Sequence, residues 1–283
     1  MPEKRAFAVV TDSTADIAAD IARAQGIIIV PLAVTFGTET FVDGELSQNE
    51  FFSRMTASAQ LPTTSQPSPG AFAEAFEQAL ETAESVISVN ISDKLSGTIE
   101  SARQAAADFS GRVHVFDSLN LSWGLGLQVM EAARCSKEGM SADAALARLA
   151  EVRDRVRLIV ALDSLDNLAR GGRIGRVSAF LGSMLNLKVT LTVDSDGAFQ
   201  PVARTRGEKA ALEHTLEWVA EKMGTATRGS FAVGYAMHRE RAEKLADEIR
   251  ARYEVDELVV YEAGIVICTH TGTGWGVAVL PAG

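Results

Sequence analysis

The sequence predicts an α/β fold in two domains, residues 1–155 and 156–283. Up to Arg155, short β-branched runs alternate with helical patterns, the layout of a mainly parallel sheet with helices packed on its faces. Beyond Arg155, strand-like runs follow one another across tight turns, which implies a mixed α/β domain. The 283 residues suit two domains of roughly 150 residues each. A content of 47% apolar and 23% charged residues is that of packed globular chains rather than disordered ones.

In the first domain, strands are expected at Phe7–Thr11, Ile27–Val34, Val86–Ile91 and Val113–Phe116, where β-branched residues cluster. Ser13-Thr14-Ala15-Asp16 has a capping-box pattern that opens a helix carrying Ile17 and Ile21 and ending near Gly26. Ser68-Pro69 starts a second helix, whose Phe72, Ala75, Phe76, Ala79 and Leu80 share one face. Helices over Leu121–Lys137 and Ser141–Arg155, separated by Gly139, close the domain. In the second domain, strands are expected at Leu158–Leu162, Leu187–Val193, Phe199–Arg204, Phe231–Met237, Leu258–Tyr261, Ile265–Thr269 and Gly276–Leu280. Asp194-Ser195-Asp196-Gly197 reads as an antiparallel hairpin turn. Helices are expected over Gly207–Met223 and Arg239–Arg252 from their apolar stripes.

Charge and composition narrow the function classes. With 27 Lys and Arg against 37 Asp and Glu, the net charge of −10 argues against a nucleic-acid partner, whose phosphates select a basic face. Two distant cysteines, Cys135 and Cys268, suit a reducing cytoplasm and exclude a disulfide framework or a zinc knuckle. The apolar runs Ala6–Val10 and Gly26–Val34 are too short for a signal-peptide core or a membrane span, so a cytoplasmic protein with no integral membrane segment is expected. Walker A, His-Glu-x-x-His, Cys-x-x-Cys and Gly-x-Ser-x-Gly sequences are missing, so neither a metal nor a nucleotide cofactor is expected.

Four segments carry polar groups suited to an anion. Leu95-Ser96-Gly97-Thr98 lies between a strand and a helix, where free amides favour negative charge; Ser96 is either a ligand donor there or a cap on its own helix. Leu61 to Gly70 packs four hydroxyls and three prolines, either a rigid linker or a platform that fixes those hydroxyls. Both segments precede helices of the same sheet, so both open at its carboxyl edge, where ligands of such sheets bind. Arg170-Gly171-Gly172-Arg173-Ile174-Gly175-Arg176 is a basic turn in an acidic chain, suited to phosphate or carboxylate or simply solvated. His270, in a glycine-rich stretch, pairs in principle with Ser96 as the base of a hydrolase or acyltransferase.

Taken together, these segments resemble the DegV family, fatty-acid-binding proteins that serve bacterial fatty acid kinase. The resemblance rests on Thr11-Asp12-Ser13-Thr14-Ala15-Asp16, Asp43-Gly44, Pro62-Thr63-Thr64-Ser65-Gln66-Pro67-Ser68, Leu95-Ser96-Gly97-Thr98, Gly171-Gly172-Arg173 and His270-Thr271-Gly272, spread over nearly the whole chain. It implies a two-domain DegV-like fold with one buried long-chain fatty acid. The acid's carboxylate would be held by Thr64 and Ser96, with the Gly97 amide and His270 beside them. It also implies that Arg170, Arg173 and His270 handle phosphate or dock the kinase subunit. On this resemblance the protein is a lipid-binding subunit with no catalysis of its own. It would present its acid for phosphorylation, and the acyl phosphate would pass to an acyltransferase in phospholipid synthesis. Where the family commonly has Pro after His-Thr-Gly and Tyr after Leu-Ser-Gly-Thr, this chain has Thr273 and Ile99, changes that bear on loop stiffness and the acyl-pocket wall. A carrier of another hydrophobic anion is the further alternative.

Overall fold

The computed structural model describes residues 4–180 and 187–283. The chain opens with β1 (Arg5–Asp12), a 3₁₀ turn (Ser13–Ala15), α1 (Ala19–Gln25) and β2 (Ile27–Val30). A small antiparallel unit follows: β3 (Ala33–Phe36), β4 (Glu39–Val42), α2 (Gln48–Ala57) and β5 (Thr63–Ser65). Then come α3 (Pro69–Thr82), β6 (Ala83–Asn90), α4 (Thr98–Ala106), β7 (Val113–Asp117), α5 (Ser122–Lys137) and α6 (Ala142–Arg153). The second half contains β8 (Arg157–Leu162), α7 (Asp166–Arg170), β9 (Leu187–Val193), β10 (Phe199–Arg206), α8 (Glu208–Met223), β11 (Arg228–Ala236), α9 (Arg239–Arg252), β12 (Glu254–Glu262), α10 (Ile265–Thr271) and β13 (Gly274–Pro281).

Three sheets result. The first is parallel, in the order β2-β1-β6-β7, and the second is mixed, in the order β10-β9-β8-β13-β11-β12, with only β11 and β12 running parallel. The third is the antiparallel trio β4-β3-β5. Helix α5 packs on β1 with one side and on β13 with another. Its Trp123 and Leu125 are therefore buried in one apolar cluster with Phe7 and Val9 of the parallel sheet and Leu158, Leu191 and Ala278 of the mixed sheet. Arg155 lies between α6 and β8, and this cluster runs across it. Each large side chain so buried contributes roughly 1.5–3 kcal/mol of transfer free energy.

Four local expectations are corrected. The run Ile27–Val34 is two strands in two sheets, because Pro31 has no amide proton to extend a ladder and the chain turns there. The helix expected from Ser13 is interrupted: Asp12, not Ser13, caps the 3₁₀ turn, Asp16 closes it in the left-handed region (φ 53°), and α1 starts only at Ala19. The connection around Thr64 contains strand β5, paired with β3. Ile265–Thr269 belongs to a helix rather than a strand. Its β-branched residues are buried on nearly every side, and Thr269 and Thr271 donate their hydroxyls back to Ile265 and Ile267 carbonyls four residues earlier (2.8 and 3.0 Å).

Asp12 ties the end of β1 to the end of β6. Its carboxylate accepts from the Thr14 hydroxyl and amide, from the Ile91 amide (2.9 Å) and from the Asn90 amide group (3.2 Å), and the residue is fully buried. Asp12→Ala strands these donors and is expected to lower stability by about 3 kcal/mol. Urea unfolding checks this; a loss under about 1 kcal/mol would show that the loops close without the carboxylate.

Candidate functional site

A narrow cavity opens where the carboxyl edge of the parallel sheet meets α10 and the tip of the β9–β10 hairpin. Its polar end holds Thr64, Ser96, Arg173 and His270, and most of its remaining wall is apolar, with Leu121, Phe199 and Ile267 among its residues. A second cavity shares Leu121, Ile267 and Thr271 with it and lies on the face of the mixed sheet.

The four polar side chains come from four elements. Thr64 sits on edge strand β5, and its hydroxyl is 2.9 Å from Nε2 of His270 on α10. The other ring nitrogen, Nδ1, is buried without a hydrogen-bond partner, packed against Gly171, where a Cβ would lie only 2.5 Å away. Gly171 thus lets the arginine turn lie flat on the ring. An orphaned buried N–H is costly, so we place the ring proton on Nε2, where it donates to Thr64 Oγ1 and leaves the Thr64 hydroxyl proton for a ligand. Loss of water on burial, and then the nearby Arg173 guanidinium, push the His270 pKa down to about 4, so the ring is neutral at neutral pH.

Ser96 is a wall residue and not the cap of α4, whose N-cap is Gly97. Its Oγ accepts from the Thr98 amide (3.2 Å) and lies 2.8 Å from Thr98 Oγ1, while the side chain lines the cavity. Its hydroxyl proton is therefore available either to Thr98 or to a guest. Gly97 is exposed and does not line the cavity; the space a Cβ would fill is taken by the amide of Gln66, which donates to Ser101 (2.9 Å). Arg173 reaches over the mouth, donating to the Gly171 carbonyl (2.7 Å) and weakly to the Leu95 carbonyl (3.4 Å). Arg170 ends α7 exposed and away from the cavity lining. Thr64, Ser96, Arg173 and His270 are thus brought together, and Gly97 and Arg170 stay outside.

The pairing of Ser96 with His270 does not form a nucleophile and base. Among the described residues His270 makes no hydrogen bond to Ser96 or to any carboxylate, and its Nε2 is engaged by Thr64. No group of His, Cys, Asp or Glu among the described residues is arranged to hold a metal, and no described helix is long and apolar enough to cross a membrane.

Sequence reasoning did not identify the groups that hold α10 in place. The amide of Gly264, at its N-terminus, donates to Asp16 (3.0 Å), and the Asp43 carboxyl lies against the same turn, with one oxygen buried without a hydrogen-bond partner, where the Ser13 hydroxyl and the Ile265 and Val266 amides favour its charged form. Asp16 also accepts from Ser122 (2.5 Å), whose hydroxyl is 2.7 Å from that of Tyr261. Loss of water pushes the Asp16 carboxyl up to about 8 and that of Asp43 to about 6; mutual repulsion between the two adds to the rise at Asp16. The Thr11 to Asp16 and Asp43-Gly44 segments were visible as motifs, but their meeting at Gly264 is a tertiary fact.

The chain matches the family described as "Uncharacterised protein, DegV family" over residues 6–282. A DegV domain-containing protein of Deinococcus radiodurans is 39% identical over 97% of this chain and 98% of its own. Among solved structures, the fatty-acid-binding DegV family protein of Thermus thermophilus superposes with a TM-score of 0.93 at 38% identity, covering 97% of this chain and 99% of its own. DegV of Bacillus subtilis, a fatty-acid-binding protein, superposes with a TM-score of 0.88 at 32% identity, covering 99% and 100%.

The raised Asp16 pKa has a defined sign. The folded chain keeps a proton that the unfolded chain releases above its ordinary value of 3.8, so this group's contribution to stability falls as pH rises from there to about 8. Asp16→Asn keeps an acceptor for Gly264 and carries no charge. The variant is expected to gain on the parent in melting temperature between pH 5.5 and 8.5, and a constant difference would show that Asp16 is ionised throughout.

Proposed function

The chain belongs to the DegV family, and we propose that it binds one long-chain fatty acid and presents the carboxylate to a separate fatty acid kinase subunit. The observation that carries this reading is the Thr64–His270 pair with Ser96, neutral donors at the mouth of a largely apolar cavity that adjoins a second across Leu121, Ile267 and Thr271. Burying an acyl chain gives about 0.8 kcal/mol per methylene, so some fourteen methylenes give a gross ~11 kcal/mol before the cost of association. Two hydroxyls donating to a carboxylate add roughly 1.5–3 kcal/mol each and decide which end faces out. The tail supplies affinity and the head group orientation.

The same donors suit a carboxylate that is to react. Hydroxyls leave its oxygens more nucleophilic than a bidentate arginine pair would, and the exposed Arg173 at the mouth is placed to meet the added phosphoryl charge. The product would be an acyl phosphate, retained by the same tail contacts until an acyltransferase takes it for phospholipid synthesis. The protein itself supplies binding and orientation, and the kinase subunit supplies ATP chemistry. This reading gives Gly97 and Arg170 no contact with the carboxylate, since both lie outside the cavity; Arg170 is left as a docking contact for the partner.

Mass spectrometry of the purified protein, native and after solvent extraction, is expected to find one equivalent of a long-chain fatty acid. Protein that carries none and takes up none would defeat the reading, and a different hydrophobic anion would redirect it. Thr64→Val with Ser96→Ala is expected to weaken fatty-acid binding at least about tenfold without change in the fold, as read by tryptophan fluorescence competition and circular dichroism. Arg173→Ala is expected to slow kinase-dependent acyl phosphate formation about tenfold while changing acid affinity by less than about threefold. Equal losses in both would place Arg173 in the acid pocket instead.

A further inference from the structure

The second cavity is floored by the mixed sheet, and strand register explains its shape. Val160, Gly276, Gly234 and Tyr261 form one row across β8, β13, β11 and β12, and all four line the cavity. Residues paired across neighbouring strands point to the same face, so two adjacent glycines put no side chain of their own on it over about 10 Å, and Val160 and Tyr261 lean in from either side. In the next row but one along the strands, Leu158, Ala278 and Ala232 are packed into the main core and line no part of the cavity. The chamber therefore ends at the glycine row.

Tyr261 closes one side of that row. Its hydroxyl end leans over Gly234, where an added Cβ would lie 2.4 Å from Cζ. The hydroxyl bonds Ser122 Oγ (2.7 Å), while its ring packs on Trp123 with centroids 5.7 Å apart. Ser122 in turn donates to Asp16 (2.5 Å). Both Ser122 and Asp16 have left-handed backbones (φ 48° and 53°), conformations that persist in non-glycine residues only where the surroundings fix them. With its polar atom occupied by α5, the ring is held rigidly and turns an apolar surface to the chamber.

Resting on the fatty-acid reading above, we infer that Tyr261, seated over Gly234 and pinned through Ser122, sets the length of acyl chain this protein accepts. In the row that ends the chamber, Tyr261 is the largest side chain, and Gly234 is what lets its ring lie low against the sheet. A chain end that reaches the ring gains nothing from a further methylene.

The test is the affinity of the full chain, freed of bound lipid, for a series of saturated acids from dodecanoic to docosanoic. Affinity is expected to rise up to about fourfold per methylene and then to stop at a break point. Tyr261→Ala should move that point to longer acids by about three carbons, leaving dodecanoate affinity within about threefold. Gly234→Ala should lift the ring into the chamber and move it to shorter acids, and adding Tyr261→Ala to that variant should reverse the shift. Should the glycine variant not fold, Tyr261→Ala alone decides. A Tyr261→Ala break point that coincides with the parent's overturns the assignment of Tyr261 while fatty-acid binding stands. A parent protein that binds none of the acids overturns the ligand reading and this inference with it.

Discussion

The N-terminus of α10 is the joint on which the site depends. A seven-residue helix rich in β-branched residues does not hold together in water, because nucleation is costly and such side chains resist the helical turn. Here it is fixed from three directions. Asp16 takes the Gly264 amide, the Asp43 carboxyl lies against the same turn and attracts the Ile265 and Val266 amides, and Gln48 of the small antiparallel unit donates to the Ala263 carbonyl (2.8 Å) just ahead of the helix. Gln48 also accepts from the Met237 amide (2.6 Å) past the end of β11. Because α10 carries Ile267, His270 and Thr271 into the cavities, the placement of the polar end and of part of the apolar wall follows from this joint.

The joint also explains how so many polar groups coexist with an apolar chamber. Each is held near neutrality or fully hydrogen-bonded: His270 by burial beside Arg173, Asp16 by loss of water, Tyr261 by its bonds to α5. A formal charge facing a hydrocarbon tail would cost several kcal/mol unless paired, whereas satisfied neutral groups cost little. Arg173, which makes no ion pair among the described residues, stays at the mouth where water reaches it. Such a gradient, charge outside and neutral donors within, suits a ligand with one ionised end and a long apolar body.

Local pattern made much of the fold legible. The Arg239–Arg252 helix, the hairpin at Asp194–Gly197 and the parallel strands of the first half are set by periodicity and turn chemistry within a few residues, and the structure has them there. The elements that escaped are governed by distant partners. Pro31 sends β3 to another sheet, and the start of α10 is held by Asp16, more than two hundred residues earlier, with Asp43 beside it. At the site, the Thr64 and Ser96 segments stood out by composition. Tyr261 did not, since its place beside Gly234 and Gly276 exists only once three strands are in register.

The arginine turn shows how one basic segment divides its work. Arg176 is committed to the β9–β10 hairpin, bonding Asp194 (2.6 Å) and Asp196 (3.4 Å), and that hairpin carries Phe199 into the cavity wall. Gly171 lets the turn press against His270, so the same few residues that latch the hairpin also seal one nitrogen of the ring from water. Arg173 is then left facing out, bonded only to backbone carbonyls among the described residues, in a chain of net charge −10. Against that background an isolated cation at the cavity mouth attracts a carboxylate head group more than the surrounding surface does. An interface there favours a partner that brings negative charge to the same spot. On the reading proposed above, head-group capture and partner docking would draw on one charge, and a substitution at Arg173 would separate them only if the Thr64 hydroxyl, paired with His270, held the carboxylate independently of it.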